Sequence, residues 1–158
     1  ADKLAPWDAT VVYHSRRKKE VPYRYFDNLT EMARACDALI CITPGGPSTH
    51  KIVNAEVLEA LGPNGTLINV SRGSVVDEAA LIAALTSGKL GWAGLDVFEA
   101  EPVVPQALRD LPNTVLLPHV GSATVETRAA MGALTVDNLL QHLKDGTVMT
   151  PVPECADL

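Results

Sequence analysis

Thr66-Leu67-Ile68-Asn69-Val70-Ser71-Arg72-Gly73-Ser74-Val75-Val76-Asp77-Glu78 is the stretch that decides the fold. Its aliphatic start predicts a buried strand over Thr66–Val70, and the polar run Ser71-Arg72-Gly73-Ser74 predicts the loop after it. Asp77 then stands where a helix N-cap accepts a backbone hydrogen bond. The alanines and leucines beyond it run to Ser87, with Gly88 as a C-terminal stop. Strand, loop and capped helix make the unit from which parallel sheets are built.

The same unit recurs on both sides. Upstream, Thr10–His14 is a short β-branched run, and Pro22–Tyr25 is a weaker strand because its proline cannot donate to a ladder. Asn28 with Glu31 predicts a capped helix through Ala35. Ala38–Thr43 is apolar on both faces, as in a strand buried inside a parallel sheet. Pro44-Gly45-Gly46-Pro47 forces a loop, and Asn54 opens a helix that Gly62 and Pro63 stop. Downstream, Gly91–Val97 reads as a strand and Glu101-Pro102 opens a polar connection. Thr114–Leu117 is the last strand, ending at Pro118-His119. A long helix follows from about Thr124 to Lys144, with Gly146 beyond it, and the Pro151-Val152-Pro153 tail is extended. The alternation predicts an α/β fold, a doubly wound (Rossmann-like) parallel sheet covered on both sides.

Composition sets the outer bounds. The 158 residues have the size of one domain, and 47% hydrophobic content is enough to bury a core, with only 4% aromatic residues to help. A net charge of -6 argues against a nucleic-acid partner or a membrane surface. Arg16-Arg17-Lys18-Lys19 is a local exception. No stretch reaches the roughly 20 apolar residues that span a bilayer, and Ala1–Asp8 lacks the apolar region of a signal peptide. Cys36, Cys41 and Cys155 are odd in number and lack paired metal spacing, so they read as free thiols in a reducing cytosol. His14, His50, His119 and His142 show no metal-ligand spacing either. The expectation is a soluble cytoplasmic protein without a metal.

Ligands of such sheets bind outside the carboxyl ends of the strands. The residues to weigh are therefore His14-Ser15-Arg16-Arg17, Thr43-Pro44, Ser71-Arg72, Asp96 through Glu101, and His119-Val120-Gly121. Arg, Glu and His on one sheet edge make a reasonable site. Each also has a plain structural reading: a surface salt bridge, a solvated turn carboxylate, a satisfied loop histidine.

Three segments carry a family resemblance. Asn69-Val70-Ser71-Arg72-Gly73-Ser74-Val75-Val76-Asp77-Glu78 resembles the arginine signature of D-isomer-specific 2-hydroxyacid dehydrogenases. Gly94-Leu95-Asp96-Val97-Phe98-Glu99-Ala100-Glu101-Pro102 resembles their glutamate signature, and Leu117-Pro118-His119-Val120-Gly121-Ser122 their histidine signature. They occur in the family's order, and the similarity runs almost continuously from residue 9 to residue 150. Within the family the chain is most similar to glyoxylate/hydroxypyruvate reductases.

The resemblance implies reduction of a 2-keto acid to a D-2-hydroxy acid by hydride from a nicotinamide. It makes His119 the proton donor to the carbonyl oxygen. An unperturbed imidazole titrates near about pH 6.5, so Glu101 would hold its proton at neutral pH. Arg72 would take the substrate carboxylate and keto oxygen with its planar fork. Asp96 would accept from the nicotinamide carboxamide, or else cap a neighbouring helix. Cys41, Ile42, Thr43 and Pro44 would line the adenosine and nicotinamide side of the cleft. Val70 and Ser71 would lie beside the nicotinamide, and Gly121 would let backbone approach the ring.

Charge argues for NADP over NAD. Enzymes that use NAD place an acidic residue at the end of the second strand; Tyr13-His14-Ser15-Arg16-Arg17 has no carboxylate until Glu20. Ser15, Arg16 and Arg17 offer a 2′-phosphate a hydroxyl and two guanidinium groups, the alternative being a solvated basic turn. The family's strand-G-x-G-x-x-G-helix loop is expected just before residue 1, and Ala1–Trp7 read as the tail of the helix after it. Residues 1–146 would then be a partial NAD(P)-binding domain lacking its first strand and glycine-rich loop. Residues 147–158 would begin the return to a missing substrate domain. In the order 3-2-1-4-5-6 the first strand is central, so Thr10–His14 and Ala38–Thr43 should lack a mutual partner. A separate N-terminal piece, an exchanged strand or a longer chain would each supply one, the last being preferred. The intact protein is expected to be a homodimer, and the isolated fragment inactive. A nucleotide-responsive binding protein of the corepressor kind, or an inactive fragment, is the competing reading.

Overall fold

Six short parallel strands form two sheets in the computed structural model, which describes residues 2–152 and 155. β1 (Val12–His14) pairs with β2 (Arg24–Phe26). β3 (Ala38–Cys41), β4 (Thr66–Asn69), β5 (Trp92–Leu95) and β6 (Thr114–Leu116) form the second sheet in that order. As expected, β1 and β3 are not partners of each other. The helices are α1 (Leu29–Arg34), α2 (Ala55–Leu61), α3 (Glu78–Thr86), α4 (Gln106–Arg109) and α5 (Val125–Asp145). Asn28, Asn54 and Asp77 cap the first three by accepting from the backbone N–H groups of Glu31, Val57 and Ala80. Such a cap is worth about 1 kcal/mol. The chain divides into two compact units, Ala1–His119 and Val120–Leu158.

Strand register explains where the core of the first unit sits. Leu39, Leu67 and Ala93 stand side by side across the sheet and are buried, as are Cys41, Asn69 and Leu95 in the next row on that face. Leu58 of α2 and Leu81 and Leu85 of α3 pack into the same cluster. Full burial of each such leucine is worth about 1.5–3 kcal/mol. The other face carries Ile40, Trp92 and Val115, all exposed. This corrects the reading of β3 as a strand buried on both faces. The side chains of a strand alternate, and the core cluster of this unit lies against one face only.

Other boundaries also differ. β3 ends at Cys41, not Thr43, and β5 at Leu95, not Val97. Asp2–Trp7 is a 3-10 helix, not an α-helical tail, with Pro6 inside it lacking a backbone donor. Ala1 and Pro153 lie outside the described residues. α4 and the 3-10 turns Pro47–Thr49 and Gly73–Val75 were not anticipated. In the second unit Thr124 caps α5, and Gly146 ends it in the left-handed region at φ 80°. Thr147 donates to Asp145 through its hydroxyl and its N–H, which holds that carboxyl below the usual range. Among the described residues no helix is long and apolar enough to cross a membrane.

Candidate active site

The arginine turn is built from β4 outward. Asn69 closes the strand, 1% exposed. Its Oδ1 accepts from the N–H and the hydroxyl of Ser71, at 3.1 and 2.8 Å, and its Nδ2 donates to the Arg72 carbonyl at 3.0 Å. Arg72 is exposed, and its Nη1 donates to the Ser71 carbonyl at 2.6 Å. Two glycines allow neighbouring backbones to close on this turn. A Cβ at Gly73 would meet the Phe98 carbonyl at 2.0 Å, and one at Gly45 would meet Arg72 Cγ at 2.8 Å. The arginine turn thus lies directly against the chain that leads to Glu101.

Glu101 and His119 form the second element. His119 Nδ1 lies 2.8 Å from Glu101 Oε2, and the Phe98 N–H donates to Glu101 Oε1 at 2.9 Å. The hydrogen bond with His119 is the main reason the carboxyl titrates below its ordinary range. The Phe98 N–H adds to this, burial opposes it, and the charges of His119 and Arg72 lower it further. An ionised carboxylate only accepts, so the ring nitrogen facing it carries the proton. His119 has φ 56°, a left-handed conformation that costs a non-glycine residue about 1 kcal/mol or more and recurs at functional sites. Phe98, Pro102, Val104, Leu116 and Pro118 form an apolar hollow of about 310 Å³ beside the pair.

A cleft of about 730 Å³ opens between the carboxyl ends of β1 and β3. It brings together Ser15, Arg16, Arg17, Cys41, Ile42, Thr43 and Pro44, and no aspartate or glutamate lines it among the described residues. Its basic loop is held by tyrosines. The Tyr13 hydroxyl accepts from Lys19 N–H at 2.8 Å and donates to the Lys19 carbonyl at 3.0 Å; the Tyr25 hydroxyl donates to the Ser15 carbonyl at 3.0 Å. Ser15 Oγ donates to the Arg17 carbonyl at 2.5 Å. His14 also lines the cleft, with Nδ1 at 3.0 Å from the Phe26 carbonyl. Burial pushes the Cys41 thiol up to about 12.

Val70 and Asp96 line a hollow apart from that cleft, together with Ile68, Trp92 and Gly94. Asp96 is buried, and its N–H donates to the Asn69 carbonyl at 3.0 Å. Ser71 is buried with its hydroxyl engaged by Asn69. Gly121 belongs to the second unit. Sequence reasoning missed the role of Asn69, which reads as an interior position of the Thr66–Val70 strand, although an amide among apolar neighbours was a visible signal. It also missed Lys51, whose Nζ lies 3.7 Å from Asp77 and 3.6 Å from Glu99 and links the Pro-Gly-Gly loop to both signatures. No group of three metal-ligating side chains occurs among the described residues.

Comparison with known proteins gives this geometry its context. The chain is 49% identical over 153 residues to a hydroxyphenylpyruvate reductase of Plectranthus scutellarioides, covering 96% of this chain and 49% of that protein. It is 47% identical, with the same coverage, to a glyoxylate/hydroxypyruvate reductase of Arabidopsis thaliana. A crystal structure of an NADPH-dependent glyoxylate/hydroxypyruvate reductase from Sinorhizobium meliloti, in complex with NADP and malonate, superposes with a TM-score of 0.94 at 53% identity. It matches 97% of this chain and 48% of its own. The chain therefore spans about half the length of the relatives it matches. The family profile of the D-isomer specific 2-hydroxyacid dehydrogenase NAD binding domain matches residues 1–121, and the chain belongs to that family.

Proposed function

We propose that the full-length protein reduces a 2-keto acid, glyoxylate or hydroxypyruvate, to the D-2-hydroxy acid with NADPH. The observation that carries this reading is the 2.8 Å pair of His119 Nδ1 with an ionised Glu101, on the same sheet edge as the Arg72 turn. The cleft fits an NADP 2′-phosphate by its charge: Arg16 and Arg17 line it beside Ser15, without a competing carboxylate. Cys41, Ile42, Thr43 and Pro44 supply the apolar wall for the adenosine and nicotinamide side. Val70, Ser71 and Asp96 would hold the nicotinamide, Asp96 through the carboxamide. When bound, the reduced nicotinamide supplies the hydride.

The chain's own residues do the rest. Arg72 takes the substrate carboxylate in its fork and orients the keto carbon, a geometry lysine cannot reproduce. Glu101 occupies Nδ1 of His119, which leaves Nε2–H for the carbonyl oxygen. As hydride reaches the keto carbon, the C=O π pair moves to oxygen and takes the Nε2 proton, so the product leaves as an alcohol. Glu101 keeps the imidazole oriented through its contact with Nδ1. Relatives carrying glyoxylate/hydroxypyruvate reductase names support the substrate choice. The free cysteines Cys36, Cys41 and Cys155 fit a reducing cytoplasm, and a homodimer is the expected assembly. The test is turnover by the purified full-length protein, followed by the loss of NADPH absorbance with each keto acid. Consumption of NADPH with a D-2-hydroxy acid as product supports the reading; no consumption with any 2-keto acid refutes it.

A further inference from the structure

Asn69 occupies a place where an apolar side chain would ordinarily sit. In the sheet register it stands between Cys41 and Leu95, with Leu67 two residues back on the same face, and all four are buried. Burying an amide there costs free energy unless every polar atom is satisfied. Each is satisfied, and by the arginine turn alone. Oδ1 receives both donors of Ser71, and Nδ2 reaches the Arg72 carbonyl. The two ends of the amide are thus chemically distinct, an acceptor toward Ser71 and a donor toward Arg72. The Ser71 carbonyl, held in this turn, is in its turn the acceptor for Arg72 Nη1 at 2.6 Å. The main-chain carbonyl of Asn69 accepts from Asp96 N–H, so the end of β5 is pinned at the same residue.

We propose that Asn69 is a positioning residue for keto-acid binding: its side-chain amide sets the Ser71-Arg72 turn and thereby aims the Arg72 guanidinium. The proposal rests on the reading of Arg72 as the carboxylate-binding group. Asn69→Asp is nearly isosteric but replaces the donor with an oxygen that faces the Arg72 carbonyl. The turn then opens without a change of volume. Asn69→Ser removes the reach to Arg72 with a neutral group, and serves if the buried carboxylate prevents folding.

The experiment uses the full-length protein and begins with wild-type turnover of hydroxypyruvate. Absence of wild-type turnover overturns the functional reading itself, and the positioning role with it. Given turnover, Asn69→Asp or Asn69→Ser should lower kcat/KM for the keto acid about a hundredfold, the penalty of a misplacement of about 1 Å. The NADPH dissociation constant, measured by fluorescence titration, should stay within about twofold. In an Arg72→Lys background the Asn69 substitution should cost little more, because its effect runs through the guanidinium. Two results would overturn the proposal while leaving the functional reading intact. One is wild-type kcat/KM in a folded Asn69 variant. The other is a loss that adds in full to that of Arg72→Lys, or that weakens NADPH equally, as general destabilisation would.

Discussion

Replacing Gly73 with alanine should disable the site through a contact that no sequence pattern reveals. The new Cβ would stand 2.0 Å from both the carbonyl carbon and oxygen of Phe98, and 2.5 Å from Glu99 N. Ordinary contact begins at 3.4 Å, so the arginine turn or the glutamate segment must withdraw by about 1.4 Å. Both neighbours are backbone, and neither can step aside by changing rotamer. Overpacking of this kind costs about 1–3 kcal/mol, which in a protein of this size or larger lowers Tm by several degrees. The catalytic penalty should exceed the stability penalty, because Arg72 is the next residue and Phe98 N–H holds Glu101. A misplacement of about 1 Å costs about a hundredfold. The assay is kcat/KM for hydroxypyruvate beside a thermal melt, with Gly132→Ala as the comparison. A Cβ at Gly132 in α5 meets nothing within 4 Å, so that variant should gain up to about 1 kcal/mol of helix stability and keep its activity. Wild-type kcat/KM together with an unchanged Tm in Gly73→Ala would refute the claim that the two signatures touch here.

Replacing Arg16 and Arg17 together with alanine should raise the KM for NADPH about tenfold or more and leave that for NADH little changed. An equal loss for both nucleotides would count against a phosphate site in the cleft. Glu101→Gln should cut kcat/KM about a hundredfold or more near neutral pH, since it removes the carboxylate partner of His119. The wild-type Glu101 carboxyl titrates below its ordinary range, so whatever it contributes is present above the unfolded value and lost as pH falls through the folded one. Wild-type activity should therefore persist below the ordinary glutamate range before this limb falls; a limb at or above that range would contradict the assignment. Cys41, pushed up to about 12 by burial, should resist iodoacetamide at pH ~8 in the folded protein, whereas exposed Cys155 reacts. Peptide mass mapping that finds Cys41 labelled as fast as Cys155 would disprove its burial.

Much of this was legible because local rules and the tertiary fold agree. Asn28, Asn54 and Asp77 each sit one residue before a helix and each cap it, as their side chains predict. The Glu101–His119 pair could be anticipated only through resemblance, since 18 residues separate the two and no periodicity joins them. What escaped was what depends on a neighbour in space. The apolar run of β3 does not reveal that one face lies outside the core cluster of its unit. Ile40 and Leu39 are equally hydrophobic, yet one is 44% exposed and the other 4%. α4 has four residues and one buried anchor, Leu108, too little to show a helical period. Asn69 looked like one more strand residue because its hydrogen bonds to Ser71 and Arg72 exist only once the turn is folded. Gly45 and Gly73 read as loop residues; their role is the room they leave for Arg72 and Phe98.

If the chemistry resides where proposed, one comparison decides it: turnover of hydroxypyruvate by full-length wild type and Arg72→Ala, with NADPH binding measured on both. The predicted result is NADPH-dependent reduction by wild type and a loss of about a thousandfold or more in the variant, as for removal of a charged group that acts in the transition state. NADPH affinity should be unchanged. An Arg72→Ala protein that still reduces the keto acid at near wild-type rates would contradict the assignment of Arg72, and with it the mechanism built on this sheet edge.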